Sequence, residues 1–227
     1  MDSFKSSGET INCEVLQTST PGPHAAIVVV HGTSGFEPPF GAMIRKFGSA
    51  LSAKGNTVLI PHYFGPIRPG ADALIAFPSQ RSRWVAILKD ALTFATTLNG
   101  VGAGRLGLLG FSMGGHLAIW CAQDSSGPKP KAVVDFFAPI NSPPPFAGIG
   151  PNVVALPPVQ IHHGDVDNVV PPEQSEVFKR LLVAARRTEG TDFEMHTYPG
   201  QGHGFTGEPA VSTSTAATIA FFGRHLV

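Results

Sequence analysis

Ser112 stands at the centre of Gly110-Phe111-Ser112-Met113-Gly114, a G-x-S-x-G pentapeptide. A short apolar run, Leu106-Gly107-Leu108-Leu109, precedes it, and an apolar helical pattern, Gly115–Trp120, follows. Strand, G-x-S-x-G, helix is the setting of a nucleophile elbow, where a strained turn lifts the serine hydroxyl above a sheet. Residues two before and two after the serine are pressed against neighbouring backbone, so glycine is needed there. The following helix aims its N-terminal amides at the site and favours developing negative charge. The chemistry such a serine can do is nucleophilic catalysis.

A serine hydroxyl is a poor nucleophile without a base. Behind such an elbow the partners come in the order Ser, then Asp or Glu, then His. Of nine histidines, His203 fits best: it lies in Gly200-Gln201-Gly202-His203-Gly204-Phe205, after the strand pattern Phe193–Tyr198 and before the last helix pattern. His225 falls inside that helix and His196 inside a strand. The acid must come from His163-Gly164-Asp165-Val166-Asp167-Asn168-Val169-Val170-Pro171. Asp167 is preferred, as the aspartate of a G-x-x-D-x-x-V-P arrangement. Asp165 is its competitor, and the loser is expected to brace a turn. His162 and His163 beside two aspartates suggest a metal, but strand neighbours point to opposite faces and do not share one ion. No metal or cofactor is therefore expected.

An oxyanion needs two converging amides. One is the Met113 N–H, next after the nucleophile. The other belongs to His31-Gly32-Thr33-Ser34-Gly35, with Thr33 preferred over Ser34. Each donor commonly contributes about 3 kcal/mol of transition-state stabilisation. His31 is read as structural, holding this loop.

These residues need elements to hold them. Ala25–Val30 is a continuous β-branched run, as a strand buried on both faces requires. Thr57–Ile60, Arg105–Leu109, Ala132–Phe137 and Val159–His162 read the same way; Phe193–Tyr198 alternates, as near an edge, and Ile11–Gln17 reads as an antiparallel first strand. Helical spacing recurs in Phe40–Lys54, Arg83–Leu98, Met113–Gln123, Pro172–Arg187 and Val211–Leu226. Alternation of this kind gives an α/β class with a mostly parallel sheet and helices on both faces. Right-handed crossovers bring the strands' C-terminal ends to one rim, where Ser112, Asp167, His203 and the Thr33 loop would meet. His62–Gln80 and Pro139–Pro158 read as irregular loops leaving that rim. Tyr63, Phe64 and Phe205 are the candidate walls of a substrate pocket.

His31–Gly35, Gly110–Gly115 (GFSMGG), Gly164–Pro171 (GDVDNVVP) and Gly202–Phe205 (GHGF) together resemble the dienelactone hydrolase family, over nearly the whole chain. The resemblance implies an α/β-hydrolase fold in a single domain, 1–227, without a lid domain. It implies Ser112, Asp167 and His203 as a triad with Thr33 and Met113 as oxyanion donors. The expected activity is hydrolysis of a small carboxylic ester or lactone through an acyl-enzyme. Two alternatives are acyl transfer to or from a polyketide-like ester, and a non-catalytic binding protein on the same fold. The family's namesake has cysteine at the elbow, a glutamate at the position of Gly32 and an arginine after the second major strand, where this chain reads His62-Tyr63-Phe64. A less acidic, aromatic or aliphatic substrate is expected for that reason. Arg81 and Arg83 are read as surface residues at a helix start.

Composition agrees with this picture. Hydrophobic residues make up 42% of the 227 and charged residues 14%, which suits a large core. Sixteen basic residues balance sixteen acidic ones, so neither nucleic acid nor an anionic membrane is an expected partner. The N-terminus lacks a signal-peptide pattern and no apolar run approaches a span, so the expectation is a cytoplasmic protein. Cys13 and Cys121 are read as small buried hydrophobes.

Overall fold

The computed structural model describes residues 1–142, 145–146, 149, 151–205 and 207–227, apart from the Pro151 side chain. Among them, eight strands form one sheet: β1 (Asp2–Ser6), β2 (Glu9–Leu16), β3 (His24–Val30), β4 (Thr57–Pro61), β5 (Val101–Phe111), β6 (Ala132–Phe136), β7 (Val159–Gly164) and β8 (Phe193–Tyr198). Their spatial order is β1-β2-β4-β3-β5-β6-β7-β8. β1 pairs antiparallel with β2, and β2 antiparallel with β4. All pairings from β4 through β3, β5, β6 and β7 to β8 are parallel. The sheet is the mostly parallel one expected from the β-branched runs, and β3, β4, β6 and β7 are buried along their whole length.

Among the described residues five α-helices cover the sheet: α1 (Phe40–Ala53), α2 (Ala71–Thr97), α3 (Met113–Gln123), α4 (Glu173–Ala184) and α5 (Ala210–His225). Strand alternation sorts the core into two layers. On one face Val28, Val30, Val133 and Ile161 pack with Trp84 and Leu88 of α2, Leu117 of α3 and Phe178 of α4. On the other, Ile27, Val29, Val134 and Phe136 pack with Ile44 and Phe47 of α1 and Phe221 and Phe222 of α5. Cys13 and Cys121 are both buried free thiols, pushed up to about 12 mainly by that burial. No described helix is long and apolar enough to cross a membrane.

Two expectations need correction. His62–Gln80 is not irregular throughout, because α2 begins at Ala71 and runs through Pro78. The proline costs one hydrogen bond, but Ala73, Phe77 and Trp84 bury one face and hold the helix together. Arg81 and Arg83 consequently lie inside α2, not at its start. Arg83 bonds Glu9 and the Tyr63 carbonyl, and the Arg81 guanidinium lies 4.2 Å from the Trp120 ring centroid. In Pro139–Pro158, a 3₁₀ turn covers Pro151–Ala155; residues 143, 144, 147, 148 and 150 lie outside the described residues.

Candidate active site

The elbow is strained where the sequence requires it. Ser112 has φ 55° and ψ −123°, a region a non-glycine residue rarely occupies. The turn is braced by its neighbours. The Ser112 amide donates to the Phe136 carbonyl of β6 at 2.8 Å, and the Phe137 amide donates to the His162 carbonyl of β7 at 2.8 Å. A Cβ at Gly114 would lie 2.2 Å from the Val30 carbonyl oxygen, so only glycine lets α3 close this tightly on β3. The Ser112 carbonyl accepts from the Gly115 and His116 amides. The Met113 amide precedes these, at the start of the helix, where no carbonyl lies one turn back to accept it.

Asp167 and His203 come from the two rim loops expected to supply them. His203 Nδ1 lies 2.7 Å from Asp167 Oδ2. The Asp167 carboxylate is fully buried and its Oδ1 accepts from the Val169 and Val170 amides, each at 2.9 Å. Burial alone would raise this carboxyl. Hydrogen bonds from His163 and His203, the charge of His203 and the Val170 amide outweigh burial and hold it well below the usual carboxylate range. Asp165 instead accepts from the Gly200 amide at 2.6 Å and braces the turn after β8. His162 and His163 do point to opposite faces: His162 meets Tyr198 and Gln160, while His163 meets Ser175 of α4.

Ser112 and His203 line one cavity of about 270 Å³, together with Gly32, Thr33 and Ser34 of the loop expected to hold the oxyanion. Its remaining wall is apolar: Phe40, Met43 and Ile44 from α1, then Phe111, Phe137 and Val169. A more open cleft of about 480 Å³ lies between β8 and the start of α5, lined by Met195, His196, Tyr198 and Gln201 among others. It brings no nucleophile and base together.

The His31–Gly35 loop is held from behind. His31 is buried, and burial takes its ring down to about 4, so it is neutral. Its Nδ1 bonds the Gly32 carbonyl at 2.9 Å, and Tyr63 Oη donates to its own carbonyl at 2.6 Å. The Thr33 carbonyl accepts from the Gly70 amide at 2.7 Å. At Gly32 a Cβ would lie 3.0 Å from the Phe111 carbonyl oxygen and 3.1 Å from Ser112 Cβ.

The expected pocket walls are not where rim proximity suggested. Tyr63 is fully buried beneath His31. Phe64 lines a separate cavity of about 170 Å³ on the other side of the loop. Phe205 is buried among Phe136, Phe137 and Tyr198. Tyr63 and Phe205 turned into the core, where burying an aromatic ring is worth more than lining the cavity. The actual wall residues of α1 were not recognised. Phe40, Met43 and Ile44 lie in the first turns of α1, whose buried face continues into the cavity.

The family model described as dienelactone hydrolase family matches residues 13–224. No curated protein sequence matches the chain. Solved structures share the fold. One, from Klebsiella pneumoniae subsp. pneumoniae MGH 78578 and assigned to the dienelactone hydrolases, has TM-score 0.82 at 20% identity, covering 98% of this chain and 97% of that one. The dienelactone hydrolase-like promiscuous phosphotriesterase P91 from metagenomic libraries gives 0.82 at 16%, covering 98% and 96%. Est1E from Butyrivibrio proteoclasticus gives 0.75 at 16%, covering 98% and 97%. The eight-stranded sheet, the elbow at Ser112 and the family match over almost the whole chain lead to one conclusion: this chain belongs to the dienelactone hydrolase family of α/β-hydrolases.

Proposed function

We propose that this protein is a serine carboxylesterase acting through an acyl-enzyme, with Ser112 as nucleophile, His203 as base and Asp167 as acid. The observation that carries the reading is the meeting of Ser112, at positive φ, and His203, bonded to buried Asp167, on one cavity. Ser112 Oγ attacks the ester carbonyl while His203 Nε2 takes its proton. Asp167 holds the His203 tautomer and stabilises the imidazolium. The Met113 and Thr33 amides receive the oxyanion. His203 then protonates the leaving alcohol, and the released His203 draws a proton from water as that water attacks the acyl carbonyl. Ser112 Oγ leaves and regains a proton from His203.

The wall chemistry supports a substrate class. Phe40, Met43, Ile44, Phe111, Phe137 and Val169 offer contacts to an uncharged apolar acyl group, and among the described residues no lysine or arginine lines the cavity. A small ester with a short aliphatic or compact aromatic acyl part fits that lining better than an anionic lactone. The test is hydrolysis of p-nitrophenyl acetate beside fluorophosphonate labelling. Wild type should turn over and be labelled, and Ser112→Ala should do neither while keeping its fold. Equal turnover by Ser112→Ala would overturn the assignment.

A further inference from the structure

Asp167 is flanked by two histidines, and only one of them faces the cavity. His163, at the end of β7, is completely buried behind the acid. Its Nε2 lies 2.9 Å from the Val170 carbonyl oxygen and 3.4 Å from Asp167 Oδ2. A carbonyl only accepts, so Nε2 carries the proton and donates it to Val170, with Asp167 Oδ2 beside the same N–H. Its Nδ1 then accepts from Ser175 Oγ of α4, at 2.6 Å. Ser175 is itself fully buried, so this contact sets the tautomer. Val170 is gripped from both sides, its amide by Asp167 Oδ1 and its carbonyl by His163.

We infer that His163, oriented by Ser175, is a positioning residue for Asp167: it occupies the rear of Oδ2 and fixes the direction in which the carboxylate presents that oxygen to His203. The inference rests on the esterase reading above. An Oδ2 that also faces the His163 N–H pulls less on the His203 proton. Take His163 away and Oδ2 pulls harder on the His203 Nδ1 proton, so the imidazolium is favoured and the base is lost to protonation at a higher pH. The carboxylate also gains freedom to rotate away from His203. The charged and titratable neighbours of this cluster are Asp135, facing His163 from β6, Asp167 in the loop and His203 beyond it.

The experiment uses the full chain as His163→Leu, His163→Gln and Ser175→Ala, with kcat and KM for p-nitrophenyl acetate followed from pH 5 to 9 and folding checked by thermal melts. His163→Leu should lose kcat by about tenfold with little change in KM, and the acid limb of its kcat/KM profile should move to higher pH. His163→Gln retains a donor near the Nε2 position and should recover most of both. Ser175→Ala should move the limb the same way by less. A folded His163→Leu with an unmoved limb overturns the inference, as does a kcat loss that glutamine fails to rescue. Should His163→Leu not fold, Ser175→Ala decides alone, and an unmoved limb there overturns it. Wild type without Ser112-dependent turnover sinks the esterase reading and this inference together, whereas an active wild type beside an unaffected His163→Leu removes only the second.

Discussion

Tyr63 Oη donates to the His31 carbonyl at 2.6 Å while the two rings stack with centroids 4.1 Å apart. The His31–Gly35 loop, proposed to hold the oxyanion, thus rests on a buried phenol. Tyr63→Phe keeps the stack and leaves the carbonyl unpartnered, at a stability cost of about 1–3 kcal/mol. Because Gly32 and Thr33 follow directly, kcat should fall by roughly tenfold with KM almost unchanged. Urea melts beside steady-state kinetics check both. A destabilised variant with wild-type kcat would show that the loop holds its geometry without the phenol.

Asp167 and Asp165 separate cleanly by substitution. Asp167→Asn offers an amide to His203 Nδ1 and favours the wrong tautomer, so kcat should fall by about 10³–10⁴-fold. Asp165→Asn should stay within about threefold of wild type, since Asp165 only braces Gly200. Steady-state assays on both variants read the difference, and a larger loss at Asp165 would reverse the assignment of the acid.

Met43 of α1 lines the cavity beside Phe40 and Ile44. Met43→Ala opens that wall and should shift the preferred p-nitrophenyl ester to longer chains. Relative to acetate, kcat/KM for hexanoate should rise about tenfold or more, the scale of one or two methylenes in an apolar pocket. An unchanged chain-length profile would mean that the acyl group leaves the cavity by another side.

Asp135 is completely buried on β6, with Oδ1 accepting from the Ala138 amide at 3.0 Å and Oδ2 without a partner. Burial pushes its carboxyl up to about 7, against the pull of His163 and the Ala138 amide. A carboxyl raised on folding binds its proton more tightly in the native state. Its contribution is whole below about pH 4 and disappears as pH rises through about 7, on the order of 4 kcal/mol in all. Asp167, held low, works the other way and its contribution is lost as pH falls below about 4. Wild type should therefore lose thermal stability between pH 5 and 8, and Asp135→Asn should lose less and be the more stable protein at pH 8. Melting curves across that range decide it; parallel curves would mean that Asp135 does not titrate there.

The sheet was legible because strands buried on both faces leave uninterrupted β-branched runs such as Ala25–Val30. β1 was not, since Asp2–Ser6 buries only Phe4 and Ser6 and offers no such run. The opening of α2 was masked by Pro78, whose local cost is outweighed by packing around Trp84. At the site, motif and chain order pointed to Ser112, Asp167 and His203 because turn geometry ties those residue types to those places. Pocket walls carry no such tie. Whether Phe64 or Phe40 meets the cavity depends on the direction of a side chain, which sequence proximity to the rim does not fix. Phe137 could have been suspected, as it directly follows β6 at the rim, and it does so at φ 46°.

Gly32 brings the His31–Gly35 loop so near the elbow that even one added carbon would meet Ser112 Cβ at 3.1 Å. Loop and elbow are thus in near contact, and a side chain at position 32 asks one of them to give by a few tenths of an ångström. Exchanging Gly32 for glutamate therefore reaches beyond the side chain it adds. A shift that small at the base of the elbow is felt at Ser112, so the residue at position 32 and the residue at position 112 are not independent choices.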